Sequence, residues 1–303
     1  MPELPDVELY LHALRPRIVG QRLTRVRIAS PFLLRSFDPP LARTEGRTVR
    51  DVSRLGKRIV WHLDDELFMV IHLMIAGRFR WKTSRGAAIT NKVGLAAFDF
   101  DSGTLLLTEA GAKRRASMHV VSGESALAAI DRGGLEVLTS TRQSFAAALT
   151  RENHTLKRAL TDPRLISGVG NAYSDEILHG AKLSPMQLTS RLSLDDLARL
   201  HDAAIRTLTA WRDALIAEAG DAFPEKVTAF HEGMAVHGRF GKPCPACGTP
   251  IQRIRYASNE ANYCPTCQTG GKLLADRSLS RLLREDWPKS LDEMDQHMAE
   301  RRR

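Results

Sequence analysis

CPACGTPIQRIRYASNEANYCPTC, residues 244–267, is the stretch whose spacing decides how the C-terminal part of the chain folds. Cys244 and Cys247 form one CxxC pair, and Cys264 and Cys267 form a second, with residues 248–263 between them. Each pair brings two sulfurs within reach of one tetrahedral ion, and the intervening residues suffice for two strands and a turn. The pattern predicts a β-hairpin carrying one Zn2+. Four thiolates leave no open coordination position, so this zinc is expected to be structural, not catalytic. All 4 cysteines of the 303-residue chain lie here, which in a reducing compartment favours a metal site over two disulfides. The same hairpin carries Arg253, Arg255 and Tyr256, side chains suited to phosphate contact.

Outward from the cysteines, composition narrows the partner. The chain has 44 Lys and Arg against 35 Asp and Glu, a net charge of +9, which favours a polyanion. No run approaches the ~18 apolar residues of a membrane span, and the N-terminus has no apolar signal core. A cytoplasmic protein is expected, associated with the nucleoid if the source is prokaryotic.

Residues 22–121 read as β structure. Apolar, β-rich runs at Ile59–Leu63 and Leu67–Leu73 flank Asp64-Asp65-Glu66, and Ala96–Phe100 pairs with Thr104–Thr108 across Asp101-Ser102-Gly103. From about residue 124 the period becomes helical: Leu194, Leu197, Ala204, Leu208, Trp211 and Leu215 recur at helical spacing between Ser193 and Gly220. In LISGVGNAYSDEIL (165–178), Gly168 and Gly170 interrupt two helical segments, and Asn171 starts the second.

The N-terminus, MPELPDVELY, carries a chemical possibility and a structural one. Pro5 sits near the first turn of a helix whose apolar face is Val7, Leu11 and Leu14. Removal of Met1 exposes Pro2 as a secondary amine. A terminal amine titrates near 7.7–8.0, far below Lys, so roughly a tenth is neutral and nucleophilic at pH 7. A secondary amine attacking a sugar carbon yields an iminium directly, and the iminium acidifies the neighbouring carbon for elimination of a phosphate. Glu3 is placed to move the protons. Lys57, in SRLGKRIVW beside Gly56, stands at a strand entrance where it could meet a phosphate or the leaving group.

Taken together, PELPDVE, a β domain with Lys57, HLMIAG, GVGNAYSDE and the terminal CxxC–CxxC finger resemble the formamidopyrimidine-DNA glycosylase and endonuclease VIII family over residues 1 to about 268. The resemblance implies an α+β fold: an N-terminal β-sandwich with an N-terminal helix (1–123), a helical domain with a helix-two-turns-helix element (124–236), a β-hairpin zinc finger (237–268) and a C-terminal extension (269–303). It implies a bifunctional base-excision enzyme acting on damaged DNA as a monomer, with no nucleotide cofactor. The damaged nucleotide is flipped out, Pro2 attacks the deoxyribose, and the strand is cut by β,δ-elimination. Position by position, Pro2 would be the nucleophile, Glu3 the general acid and base, and Lys57 the general acid and phosphate contact. Asn171 would hold a phosphate beside the lesion, with Lys157 nearby.

The chain also departs from that pattern. Asp6 stands where the family usually has Glu. The family's HLGMSG, whose Met fills the gap left by the flipped base, reads here His72-Leu73-Met74-Ile75-Ala76-Gly77, leaving Met74 and Ile75 as alternative wedges. EAGAKRRAS replaces DPRRFG; Arg114 or Arg115 takes the Arg role and the Phe is missing. The finger's phosphate-gripping Arg is Asn259 here, followed by Glu260, with Arg253 or Arg255 as possible compensation. The connection from Gly220 to the finger is shorter than in the formamidopyrimidine branch. In the extension, Leu273, Leu279, Leu282, Leu283 and Trp287 suggest a packed helix before Arg301-Arg302-Arg303. Two other functions fit these departures: non-catalytic binding of damaged DNA, and lyase or glycosylase action on single-stranded or crosslinked DNA.

Overall fold

The computed structural model describes residues 1–89, 92–111, 113–255, 260–275 and 288–300. The chain divides into two compact units, Met1–Gly133 with Thr209–Ala229, and Gly134–Leu208 with Phe230–Arg303.

In the first unit, helix α1 (Leu4–Ile18) precedes eight strands: β1 (Leu23–Ile28), β2 (Val49–Leu55), β3 (Arg58–Leu63), β4 (Leu67–His72), β5 (Gly77–Lys82), β6 (Gly94–Phe100), β7 (Gly103–Glu109) and β8 (Ser117–Ser122). They form two four-stranded antiparallel sheets in the orders β1-β6-β7-β5 and β2-β3-β4-β8. Both hairpins expected from the turn signals are present, with Trp61 opposite Met69 and Phe98 opposite Leu105. Alternation sends Ile59, Trp61, Met69, Ile71, Phe98, Leu105 and Leu107 into one core. The face of α1 that packs there is broader than a three-residue stripe: Leu4, Val7, Tyr10, Leu14 and Ile18 are all fully buried. A short helix, α2 (Glu124–Ala128), closes the outer face of the second sheet, where Leu127 and Ile130 pack on Val60, Phe68, Val70 and Val121.

The second unit contains α3 (Arg142–Thr150), α4 (Leu156–Thr161), α5 (Asn171–Ala181), the hairpin β9 (Gln252–Arg255) and β10 (Glu260–Tyr263), α7 (Pro265–Thr269) and α8 (Leu291–Glu300). Helix α6 (Leu194–Ala219) contributes residues to both units.

This division differs from the four expected segments. The change of unit falls after Gly133, not residue 123, because α2 packs on β8. Trp211, Leu215, Ile216, Phe223 and Val227 join the sandwich core, so residues 209–229 leave the expected helical domain of residues 124–236. The finger groups with the helices instead of standing apart. No helix among the described residues is long and apolar enough to cross a membrane. Of the expected C-terminal helix, Leu279, Leu282, Leu283 and Trp287 lie outside the described residues, as do Arg301, Arg302 and Arg303. What precedes and follows is tied down: the Leu274 N–H donates to Tyr263 Oη at 2.7 Å, and Leu273 N–H to the Lys289 carbonyl at 3.0 Å.

Candidate active site and zinc centre

The first unit assembles the amine, its acid and its cations. Pro2 is buried and Glu3, only 2% exposed, is the N-cap of α1. The Glu3 N–H donates to Asp6 Oδ2 at 2.8 Å, half of a reciprocal capping box. The shorter acid at Asp6 therefore still meets the cap, with Asp6 wholly buried. The terminal ammonium, on Met1 in the chain as it stands, is held below its ordinary value, first by burial. Glu3 and Asp6 oppose that shift, while Arg78 and Lys57 add to it. The same forces would favour the neutral, nucleophilic form of the amine that Met1 removal exposes at Pro2.

Lys57 lies in the turn between β2 and β3, where Gly56 adopts a φ of +62° that favours glycine. The turn is braced against α1. Arg54 donates to Glu8 Oε1 at 3.1 Å and to the Gly56 carbonyl at 2.9 Å, so one guanidinium links the helix that presents Pro2 to the loop that presents Lys57. Neither Arg54 nor Arg78 stood out in the sequence, because an Arg on an alternating strand reads as a solvated position.

The β4–β5 turn carries both wedge alternatives, in different environments. Ile75 is 61% exposed at the tip, whereas Met74 is half-buried at a φ of +53°. Met74 occupies the position where HLGMSG has its first Gly, which accounts for the left-handed backbone, and Ile75 occupies that of the inserting Met. The Met74 N–H donates to His72 Nδ1 at 2.9 Å, and the Arg78 guanidinium donates to the Ile75 carbonyl at 3.1 Å. Burial, then Arg58 and Lys57, push His72 down to about 4. The ring is therefore neutral at pH 7 and carries its proton on Nε2.

The turn yields opposite predictions for two neighbouring positions. Met74→Gly removes about 1 kcal/mol of left-handed strain and costs about 0.5 kcal/mol in unfolded-state entropy, a net gain of about 0.5 kcal/mol. Gly77→Ala puts a Cβ 2.2 Å from the Leu73 carbonyl oxygen and should cost about 3 kcal/mol or more. Urea unfolding of the two variants reads both signs.

The altered EAGAKRR loop is fastened by Glu109, which is 2% exposed and accepts the N–H groups of Arg115 at 2.9 Å and Ala116 at 3.0 Å. Both Arg114 and Arg115 are exposed. The Arg114 guanidinium donates to the Lys92 carbonyl at 2.6 Å.

In the second unit, Asn171 opens α5 after Gly170, and Gly168 takes a φ of +75°. Lys157, expected near the DNA, is instead buried: its ammonium donates to the Asn171 carbonyl at 2.6 Å and to Asp175 Oδ1 at 2.5 Å. Lys157 thus supports the Asn171 backbone from behind. Asp175, fully buried, also accepts from the Asn262 N–H at 3.1 Å and meets His237 Nδ1 at 2.8 Å through Oδ2. Glu176 accepts three consecutive N–H groups, from Ala235 at 2.7 Å and from Val236 and His237 at 2.9 Å each. These two acids tie α5 to the finger strand β10 and to the segment leading into the finger. In the sequence they read only as part of NAYSDE.

Replacing Asp175 with Leu strands a buried ammonium and a buried N–H, and should cost about 3–5 kcal/mol. Lys157→Met in the same chain should return part of that loss. A denaturant double-mutant cycle measures the coupling.

The four cysteine sulfurs lie within 4.8 Å of one another, with Sγ–Sγ distances of 3.4 Å (Cys247–Cys264), 3.5 Å (Cys247–Cys267) and 4.0 Å (Cys244–Cys267). A tetrahedron with Zn–S near 2.3 Å has edges of about 3.8 Å, so the sulfurs fit one Zn2+ and leave no open position. His179 Nε2, 3.3 Å from Cys244 Sγ, supplies a hydrogen bond from α5 to this ligand. On the hairpin, Arg253 lies 4.2 Å from the Phe240 ring centroid and donates to Glu260 at 3.4 Å, while Arg255 is exposed. Tyr256 and Asn259 lie outside the described residues.

Comparison with known proteins agrees with this architecture. The formamidopyrimidine-DNA glycosylase N-terminal domain matches residues 1–116, its H2TH domain residues 135–217, and the zinc finger found in FPG and IleRS residues 241–270. The formamidopyrimidine-DNA glycosylase of Solibacter usitatus is 33% identical over 276 residues, covering 88% of this chain and 99% of that protein. An uncharacterised formamidopyrimidine-DNA glycosylase-like protein of Mycobacterium tuberculosis is 41% identical over 151 residues, covering 50% of this chain and 94% of its own. A Lactococcus lactis FPG variant in complex with Fapy-dG-containing DNA superposes with a TM-score of 0.77 at 26% identity, covering 88% of this chain and 100% of that one. The L. lactis protein bound to DNA with an AP site gives 0.76 at 25%, covering 88% and 99%.

Proposed function

We propose, for a chain that belongs to the formamidopyrimidine-DNA glycosylase family, that it excises a damaged base from DNA and cuts the strand through the amine of Pro2. The observation that carries this reading is the helix start at which Pro2, Glu3 and Asp6 are buried together, with Lys57 and Arg78 acting on the terminal amine.

In the mechanism that follows, the neutral Pro2 nitrogen attacks C1′ of the flipped-out nucleotide as the C1′–base bond breaks. The leaving base takes a proton from an acid, for which Glu3 and Lys57 are the candidates within this unit. The nitrogen loses its own proton, the C1′–O4′ bond breaks as O4′ takes a proton from an acid, and the opened sugar is left as an iminium on Pro2. The iminium acidifies C2′, and loss of that proton expels the 3′ phosphate; a second elimination expels the 5′ phosphate. Glu3 serves as base for these steps. Ile75 fills the space vacated by the flipped nucleotide. Asn171, whose backbone carbonyl accepts from Lys157, contacts a DNA phosphate. Arg114 and Arg115 address the opposite strand. Arg255 takes up the phosphate contact for which Asn259 has no charge.

The protein works as a monomer in the cytoplasm, where a reducing environment keeps the four thiolates available to zinc. A panel of duplexes carrying oxidised purines, oxidised pyrimidines and abasic sites, each treated with borohydride, tests the proposal. A covalent adduct with abasic DNA and cleavage of at least one damaged base are expected. Binding with neither adduct nor cleavage would leave a non-catalytic damage-binding protein in its place.

A further inference from the structure

The outer face of the second sheet is part apolar and part polar, its polar residues Arg58, His72, Ser117 and His119 half-buried. On that face β3, β4 and β8 alternate in step: Arg58 is opposite His72, which is opposite Ser117, and one row along Val60 is opposite Val70, which is opposite His119. The apolar rows, Val60, Phe68, Val70 and Val121, are packed beneath Leu127 and Ile130. Asp131 and Arg132 follow immediately and are exposed. At the free edge of the sheet, residues 34–36 run alongside β8: Leu34 bridges Met118, the Arg35 N–H donates to the Met118 carbonyl at 2.8 Å, and the Val120 N–H donates to Ser36 Oγ at 2.8 Å. Arg35 is thereby fixed at the β8 edge with its side chain exposed.

We propose that Arg35, Arg58, His119 and Arg132 form a phosphodiester-binding track that holds DNA backbone beyond the damaged nucleotide. The inference rests on the reading of the chain as a DNA-repair enzyme, and extends its surface to residues to which that reading gives no part.

Three observations support it. The track begins at Arg58, directly after Lys57, whose charge acts on the terminal amine. Arg58 is poorly neutralised by the fold: among the described residues, Asp131 is the one acid acting appreciably on it, and burial and Arg132 both pull its guanidinium below its ordinary value. His119 is likewise lowered by burial, Arg58 and Arg35, and so presents a neutral ring N–H beside the guanidinium groups. A fold that gathers like charges and half-buries one of them loses stability through repulsion and desolvation, and phosphate oxygens supply the missing counter-charge. Flanking Arg35, Phe32 and Phe37 are 74% and 92% exposed, aromatic faces available to an unpaired base.

The test uses the full-length zinc-loaded protein, a 30-base-pair duplex with a central abasic site, and the same duplex undamaged. Binding is measured between 50 and 300 mM salt for the wild type, for Arg35→Gln/Arg132→Gln, and for Arg58→Gln added to that pair. Each lost phosphate contact should make log K against log salt shallower by about 0.9. The double variant should lose between one and two such increments and the triple variant one more, equally on both duplexes. The single-turnover cleavage rate at saturating enzyme should remain that of the wild type. Arg35 and Arg132 are exposed, so the double variant keeps the test valid even if Arg58→Gln fails to fold. Unchanged slopes in a folded double variant would overturn the track, as would a loss confined to damaged DNA. If the wild type neither cuts nor is trapped, the catalytic reading fails by itself, and the slopes on undamaged DNA still decide the track.

Discussion

A preparation that retains Met1, or carries any N-terminal tag, is expected to lose borohydride trapping on abasic DNA and to cleave at least about a thousandfold more slowly than the processed chain. The secondary amine exists only once the peptide bond before Pro2 is gone. Lys57 is not a ready substitute: as a primary amine it would give a neutral imine, which needs a further proton before it can acidify C2′. Burial holds the terminal amine below its ordinary value, and a group so lowered becomes neutral at a lower pH. Carried over to the exposed Pro2 amine, the same burial should move the acid limb of single-turnover cleavage below that of a solvent-exposed N-terminal proline. Arg78→Ala removes a cation that contributes to the lowering, so it should move that limb upward. Mass spectrometry of each preparation establishes whether Met1 is present. Equal trapping of the tagged and processed chains would place the nucleophile elsewhere.

The features legible in the sequence are those whose chemistry is local. Two CxxC pairs declare a metal site without reference to the rest of the chain, and alternating runs around Asp64-Asp65-Glu66 and Asp101-Ser102-Gly103 declare hairpins. Pro2 and Glu3 acquire meaning from their neighbours Pro5 and Val7. Buried ion pairs are different, because each partner alone resembles a surface residue. Asp175 meets His237 across 62 positions and Asn262 across 87, and no periodicity connects them. Lys157 enters as a DNA contact only through the family resemblance, and nothing in ENHTLKRAL announces its buried partner Asp175. Helix α6 shows the same limit at larger scale: its repeat is continuous, yet Trp211 and Leu215 belong to the sandwich core. Periodicity reports that a face is buried but not against what. The wedge was ambiguous for a related reason, since Met74 and Ile75 are both bulky and apolar. They differ in backbone and exposure, which residue type does not encode.

Removal of zinc should weaken DNA binding at least about a hundredfold, or ~2.7 kcal/mol, while leaving the rate of bond breaking at saturating DNA unchanged. The hairpin has only two strands of four residues each, too little to be stable without a further anchor. Its apolar support is small, with Val236 and Ile251 packed around Cys244 and Cys264. Structural zinc contributes about 10–16 kcal/mol in isolated finger peptides, far more than such a cluster supplies. The loss here should be partial, because Asp175 still holds Asn262 and Glu176 still holds residues 235–237. Cys264→Ser, at a fully buried ligand, should reproduce the effect of a chelator. The informative measurement is a split. If metal-free protein needs more DNA but reaches the same maximal rate, the ion organises a binding surface. A lower maximal rate at saturating DNA would implicate zinc in the chemistry, and unchanged affinity would remove the finger from the DNA-binding surface.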